Sequence, residues 1–268
     1  MGCTKKQGVK YLALKLPTEK SQPKPNLEDY TVLLYGSPKI GKTTFCSQMN
    51  NPLFLATEAG TNALSVFEVP ISSWEDFIEV VKLVITGLKN EKAGGEKFPY
   101  RTLVIDTIDN LIKFCTEYVL KQNEITHEGD LPFGKGYTLV KEELRKAIVR
   151  LSLLPIGLVV ISHEKIEEIK TRTSVINKAV PTMPKSHREI ILGMADIILY
   201  AHSIQRHTDK GIEEVRVLRT KGTENWEAGD RTGKLPATLE FNYPVFKKSW
   251  DNLPTENTKT EKTAEVKK

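Results

Sequence analysis

Cysteine is scarce in this chain. Its 268 residues hold three, Cys3, Cys46 and Cys115, widely spaced and without a CxxC pair. A disulfide framework is excluded, a zinc site is not expected, and a reduced, cytoplasmic setting fits the count. Long apolar runs are also missing. None approaches the roughly 20 residues that a membrane-spanning helix needs, so no membrane partner is expected. The start, Met1-Gly2-Cys3-Thr4-Lys5-Lys6, lacks the apolar core of a signal peptide. Lys6 stands where N-myristoylation requires a hydroxyl, so acylation is not expected either. A concentration of one charge sign is lacking as well. The formal net charge is +5, but much of the surplus sits at the ends. Lys5, Lys6, Lys10, Lys15, Lys20 and Lys24 outnumber Glu19, Glu28 and Asp29, and Lys259, Lys262, Lys267 and Lys268 outnumber Glu256, Glu261 and Glu265. The region between is close to neutral, so any nucleic-acid argument must come from local patches.

What is present is an alternation of strand and helix patterns. Residues 1–28, Lys-rich and interrupted by Pro17, Pro23 and Pro25, read as a flexible leader with a short strand at 11–16. Residues 255–268 are Thr, Lys and Glu with almost no apolar content and read as a disordered tail. Residues 29–254 read as one domain. Strands are expected at 30–35, 53–56, 66–71, 102–105, 156–161, 196–201 and 214–218. Helices are expected at 42–49, 74–88, 108–122, 137–153 and 188–193; Phe77, Val80, Val81 and Val84 carry the helical spacing in the second. Residues 89–100, 123–136 and the polar stretch 164–184 read as loops. Strands separated by helices argue for an α/β fold with a mainly parallel central sheet, helices on both faces and an antiparallel extension at the end.

One motif is complete. Gly36-Ser37-Pro38-Lys39-Ile40-Gly41-Lys42-Thr43-Thr44 matches GxxxxGK[ST], with an apolar strand running in and a helix running out. The glycines let backbone N–H groups turn toward phosphates, and the helix start adds partial positive charge. Lys42 is expected to reach the terminal phosphates and Thr43 to offer its hydroxyl to Mg²⁺. Leu103-Val104-Ile105-Asp106 is an apolar strand ending in an acid, the Walker B pattern, so Asp106 is expected beside the same ion. Two candidate strands lie between the phosphate-loop helix and Asp106. That favours the branch of P-loop proteins with an inserted strand and a catalytic glutamate. Thr107, not Glu, follows Asp106, so the base is sought elsewhere. Glu58, in Leu55-Ala56-Thr57-Glu58-Ala59 at the end of the second strand, is the candidate for orienting and deprotonating water.

Together these residues resemble RecA-like P-loop ATPases over residues 30–245. The closest likeness is to the core-only versions encoded by bacteriophages that act in DNA recombination and single-strand annealing. The resemblance implies ATP and Mg²⁺ as ligands, a filament or ring of subunits, and the bacterial host cytoplasm as location. Glu58 matches the family's water-activating glutamate. Residues 158–161 followed by Ser162-His163 resemble the γ-phosphate-sensing segment, with His163 where the family often has Gln. Family members bind DNA through two loops, matching residues 125–136 and 164–187 here. In the second, Lys165, Lys170, Arg172, Lys178 and Lys185 would track a single-stranded DNA backbone. That stretch has no Phe, Tyr or Trp, so stacking of bases on it is not expected. Arg219-Thr220-Lys221 matches a pair of basic residues that enter the neighbouring subunit's ATP site. Arg231, in Gly229-Asp230-Arg231-Thr232-Gly233, resembles a turn recurrent in the phage group and competes for that role. The extra DNA-binding domains of full-length recombinases are not seen in the sequence, so annealing or a mediator role fits better than strand exchange. A single-stranded-DNA-binding protein is a further partner implied by the resemblance. Two other functions are weighed against this one: a P-loop motor or switch acting on a protein, as in packaging or helicase loading, and a non-catalytic nucleotide-binding assembly module.

Overall fold

The computed structural model describes residues 16–170, 174–209, 211–233 and 235–252. The strand expected at 11–16 falls outside them except for Leu16, as do Cys3, Arg172 and the tail at 255–268. The chain opens with β1 (Thr31–Gly36), α1 (Lys42–Cys46), β2 (Pro52–Ala56), β3 (Phe67–Pro70), α2 (Trp74–Lys92) and β4 (Thr102–Asp106). It continues through α3 (Ile108–Gln122), α4 (Lys135–Ser152), β5 (Gly157–Lys170), β6 (Val175–Pro181) and α5 (Lys185–Met194). It closes with β7 (Ile197–Thr208), β8 (Gly211–Arg219), β9 (Gly229–Asp230), β10 (Thr238–Glu240) and α6 (Tyr243–Asp251).

The strands run in the order β10-β8-β7-β1-β5-β4-β2-β3, with β6 paired to β5 and β9 to β7. From β7 to β3 every pairing on this path is parallel; β8, β10, β6 and β9 pair antiparallel. β1 is buried at every position because it is paired on both sides. Its alternation then splits the core. Leu33 packs with residues of α2, α3 and α4, whereas Val32 and Leu34 pack with Phe45 of α1 and Phe246 of α6. Helices therefore cover both faces, as the composition of the strands requires. β5 is the inserted strand, lying between β1 and β4. The two strands that precede Asp106 in sequence, β2 and β3, both lie beyond β4.

Several elements differ from expectation. α1 keeps helical form only to Cys46, and α2 runs on to Lys92. Within the stretch 164–184, residues 164–170 and 175–181 are strand rather than loop. β5 continues to Lys170 and pairs with β6 as an antiparallel ribbon projecting beyond the sheet. A two-stranded ribbon has little core to fill, so its strands tolerate charge and give a weak apolar pattern. β7 and β8 likewise extend into a long hairpin, paired from Tyr200↔Arg219 to Thr208↔Gly211. α6 went unread, although Tyr243, Phe246 and Trp250 are its buried face and Asn242 caps its start by accepting from Val245 N–H. Among the described residues no helix is long and apolar enough to cross a membrane.

The ribbon is clamped at its root. Buried Arg188 of α5 donates Nη1 to Glu167 Oε1 (3.0 Å), Nη2 to Glu167 Oε2 (2.7 Å) and Nη1 to Pro181 O (3.2 Å). Hydrogen bonding to Arg188 holds the Glu167 carboxyl at about 2, below its usual 4.5. A depressed carboxyl pKa adds stability above the unfolded value, and that stability is lost as pH falls toward the folded value. Glu167→Gln is expected to cost about 2 kcal/mol at neutral pH. It should also flatten the loss of stability between pH 4.5 and about 2. Urea unfolding across that range measures both.

Candidate nucleotide site

The phosphate loop follows β1 at the level where the sheet ends. Gly36 is required there: a Cβ would lie 2.1 Å from the backbone oxygen of Ala201 on β7. Gly41, with φ 111°, makes the left-handed turn into α1. Between them Lys39 also takes a positive φ of 62°. Lys42, buried, folds back on the loop and donates Nζ to Gly36 O (2.8 Å) and Ser37 O (2.9 Å). Burial lowers its pKa, against the attraction of Asp106, Glu164 and Glu58. Ser37 donates its hydroxyl to Glu164 Oε1, tying the loop to the root of the β5–β6 ribbon.

Parallel register brings the other groups to the same edge. Gly36 pairs with His163, Ala56 with Asp106, and Asp106 with Ile161. Thr43 donates Oγ1 to Asp106 Oδ2 at 2.7 Å. Gly60 stands beside them: a Cβ there would sit 3.7 Å from both oxygens, in ordinary van der Waals contact. One hydroxyl and one carboxylate at the floor of a cavity suit a small hard cation such as Mg²⁺. The loop after β2 is pinned to the end of β4: Thr57 N–H donates to Asp106 O (2.8 Å), Thr107 N–H to Thr57 Oγ1 (2.8 Å), and Thr57 Oγ1 to Thr107 O (2.9 Å). That pinning aims Glu58 into the cavity. The cavity measures about 450 Å³, and its walls include Pro38, Lys39, Gly41, Lys42, Thr43, Thr44, Glu58, Asp106 and His163. A smaller cavity of about 200 Å³ adjoins it, sharing Gly41 and Thr44 and closed by Gln48, Arg216 and Tyr243.

This constellation agrees with the comparison of the whole chain against family models, where residues 28–232 match the AAA domain (AAA_24). The chain belongs to this AAA-domain family. As a P-loop ATPase family it accounts for the completeness of the phosphate loop and its pairing with Asp106. A curated relative, the SPbeta prophage-derived uncharacterized protein YorG of Bacillus subtilis (strain 168), is 32% identical over 196 residues, covering 71% of this chain and 54% of the relative. The chain thus spans about half the length of that relative. A crystal structure of a KaiC-like protein from Pyrococcus horikoshii OT3 superposes with a TM-score of 0.39 at 15% identity, covering 72% of this chain and 78% of that one.

In this AAA-domain chain the expected residues fall into two groups. The phosphate loop, Glu58, Asp106 and His163 share one cavity. Arg219 and Lys221 do not line it. Arg219 donates Nε to His202 Nε2 (3.0 Å) and Nη1 to Thr238 Oγ1 (2.7 Å), and lies over the Trp226 ring at 4.9 Å. Lys221 gives its carbonyl to Trp226 Nε1 (2.9 Å). Arg231 pairs with Asp196 (2.9 Å), whose other oxygen accepts from Thr31 N–H, at the opposite end of β1 from the phosphate loop. The ribbon lysines are matched by acids: Lys165 with Glu167 (2.9 Å), Lys170 with Glu168 (3.5 Å) and Lys178 with Glu227 (2.8 Å). Lys185 opens α5. Three contributors were not foreseen: Asp109 and Asn110 in the first turn of α3, and Arg216, which donates Nη1 to Ile40 O (3.0 Å). Asp109-Asn110 was visible as a second polar pair just past Walker B; Arg216 had no sequence signal.

Burial raises the Asp106 carboxyl above the usual range, with the Thr43 hydrogen bond working against it. A carboxyl raised in the folded state carries a cost when ionised, and the cost disappears as pH falls below the unfolded value. Asp106→Asn is therefore expected to raise the melting temperature of the nucleotide-free chain at neutral pH. It should also weaken Mg²⁺-dependent ATP binding about tenfold. Calorimetry and nucleotide titration with and without Mg²⁺ check the two halves.

Proposed function

We propose that the chain hydrolyses ATP to ADP and phosphate, with Glu58 as the group that orients and deprotonates water. The convergence of Lys42, Thr43, Asp106, Glu58 and His163 on one cavity supports this reading. Lys42 and the loop N–H groups hold the phosphates. Thr43 and Asp106 hold Mg²⁺, which when bound offsets phosphate charge. His163, within 3.5 Å of Glu58 Oε1 through Nε2, stands where a group could report the terminal phosphate. In the adjoining cavity, Gln48 and Arg216 offer polar edges to the base and ribose.

We further read Arg219 and Lys221 as acting on a neighbour's nucleotide in a filament or ring. Arg219→Ala with Lys221→Ala should then abolish turnover while ATP still binds. Mixing these subunits with Lys42→Ala subunits should restore part of the activity, and no restoration in proven mixed assemblies would sink the shared site.

For the coupled partner we favour single-stranded DNA, in annealing or mediation, on the motif order and on the prophage-derived relative. A second reading, a protein partner, is favoured by the carboxylates that already match Lys165, Lys170 and Lys178. Glu58→Gln is expected to lower kcat about 10²–10⁴-fold with little change in ATP affinity. Turnover of the wild-type chain should rise with added single-stranded DNA, and the rise should weaken with salt. A DNA-independent rate at low salt, with no DNA retention, removes DNA in favour of a protein.

A further inference from the structure

We infer that Asn110 is a positioning residue for Glu58, and that Lys113 sets the direction in which Asn110 faces. The inference rests on Glu58 acting as the base, as proposed above. Glu58 sits on a loop, and the last torsion of a glutamate has no sharp rotamer. Contacts must therefore fix its carboxylate plane. Two do so: Asn110 Nδ2 donates to Oε2 at 3.1 Å, and His163 Nε2 lies 3.5 Å from Oε1. An amide can present either its oxygen or its nitrogen, and the oxygen would repel a carboxylate. Lys113 decides between them. Its ammonium has only donors and lies 3.1 Å from Asn110 Oδ1, so the oxygen must face Lys113 and the NH₂ must face Glu58.

The same helical turn holds the second contact. Asp109 accepts from Ser162 Oγ (3.1 Å) and from His163 N–H (3.1 Å), fixing the middle of β5, just before the ribbon, to the start of α3. Two adjacent residues, Asp109 and Asn110, thus hold the backbone of His163 and the side chain of Glu58. Packing does not explain this role for Asn110, which is half-buried. With Lys113 it lines a separate cavity of about 500 Å³ that also touches His163. In that open setting, hydrogen bonding rather than steric fit sets the amide. The ionisable groups around Glu58 are His163 of β5, Asp106 of β4 and Lys42 of α1, with Lys113 of α3 reaching it through Asn110.

The test is a short series in the full chain, read by single-turnover hydrolysis, ATP affinity and thermal melting. Asn110→Ala is expected to slow hydrolysis about tenfold. Asn110→Asp has the same shape but no donor, and sets a carboxylate against a carboxylate, so it should fall about tenfold below the alanine variant. Asn110→Gln should recover part of the rate. Lys113→Met should slow hydrolysis by releasing the amide, whereas Lys113→Gln, which can still donate to Oδ1, should not. ATP affinity and melting should stay near wild type throughout.

Asn110→Asp equal to or faster than Asn110→Ala overturns the inference. So does a rate increase in Asn110→Ala, which would make the contact a brake, and so does a loss of ATP affinity that accounts for the loss of rate. Glu58→Gln run alongside separates the two levels. If it abolishes turnover while the Asn110 series does not move, positioning fails and the base survives. If it leaves turnover intact, or if the wild-type chain binds ATP without hydrolysing it, the base assignment fails and the positioning role falls with it.

Discussion

Parallel register is the constraint on which the rest depends. Strands that run the same way and pair residue for residue must finish at the same edge, so loops distant in sequence meet there. Gly36 is brought level with His163 and Ala56 with Asp106, and the pairing of β4 with β5 sets Asp106 against Ile161, two residues before His163, so all four lie at one edge. No single segment contains the site. The phosphate loop supplies backbone donors and a lysine, the end of β4 supplies a carboxylate, the loop after β2 supplies a second one, and the middle of β5 supplies a ring nitrogen. Hydrogen bonds between these loops, above all Thr43 to Asp106 and Thr57 to Asp106 and Thr107, make them one object.

That object stores unfavourable electrostatics in the nucleotide-free chain. Asp106 and Asp109 are raised by burial and Lys42 is lowered by it, so charges of both signs are held out of water. A protein built only for stability would not collect them. Lys42 and Asp106 line the same cavity, and such displaced pKa values within one cavity are a physical mark of a functional-site candidate. It contrasts with the ribbon, where acids and bases pair at the surface and Glu167 is held down by Arg188.

How much could be read beforehand followed the strength of local signals. The phosphate loop has an invariant chemistry, so its residues were legible at once. Asp106 was legible because its apolar strand ending in an acid, a common pattern by itself, follows a phosphate loop at the Walker B distance. Glu58 required the strand count, and the structure sets it beside Asp106 through Thr57. The β5–β6 ribbon was misread because charged residues on an unsupported hairpin carry no apolar period; its pairing is made by backbone, which sequence pattern does not report. α6 was missed for a different reason. Its three aromatic anchors were spaced correctly, but a nine-residue helix near a polar tail lacks length as a signal. Asn110 and Lys113 escaped because their partners are distant in sequence or are one another, on an otherwise ordinary helix.

The packing of α1 has a consequence for the order in which the molecule is completed. This helix has five residues, too few to persist alone in water. Phe45 is held by ring contacts with Phe241, Tyr243 and Phe246, from the far end of the domain. The phosphate-loop motif leaves the ribosome well before the aromatic bed it rests on. Until that bed arrives, the phosphate loop is a glycine-rich segment with the right letters and no platform. The competence of its most recognisable feature thus waits on residues made much later than the motif itself, through contacts of long sequence separation.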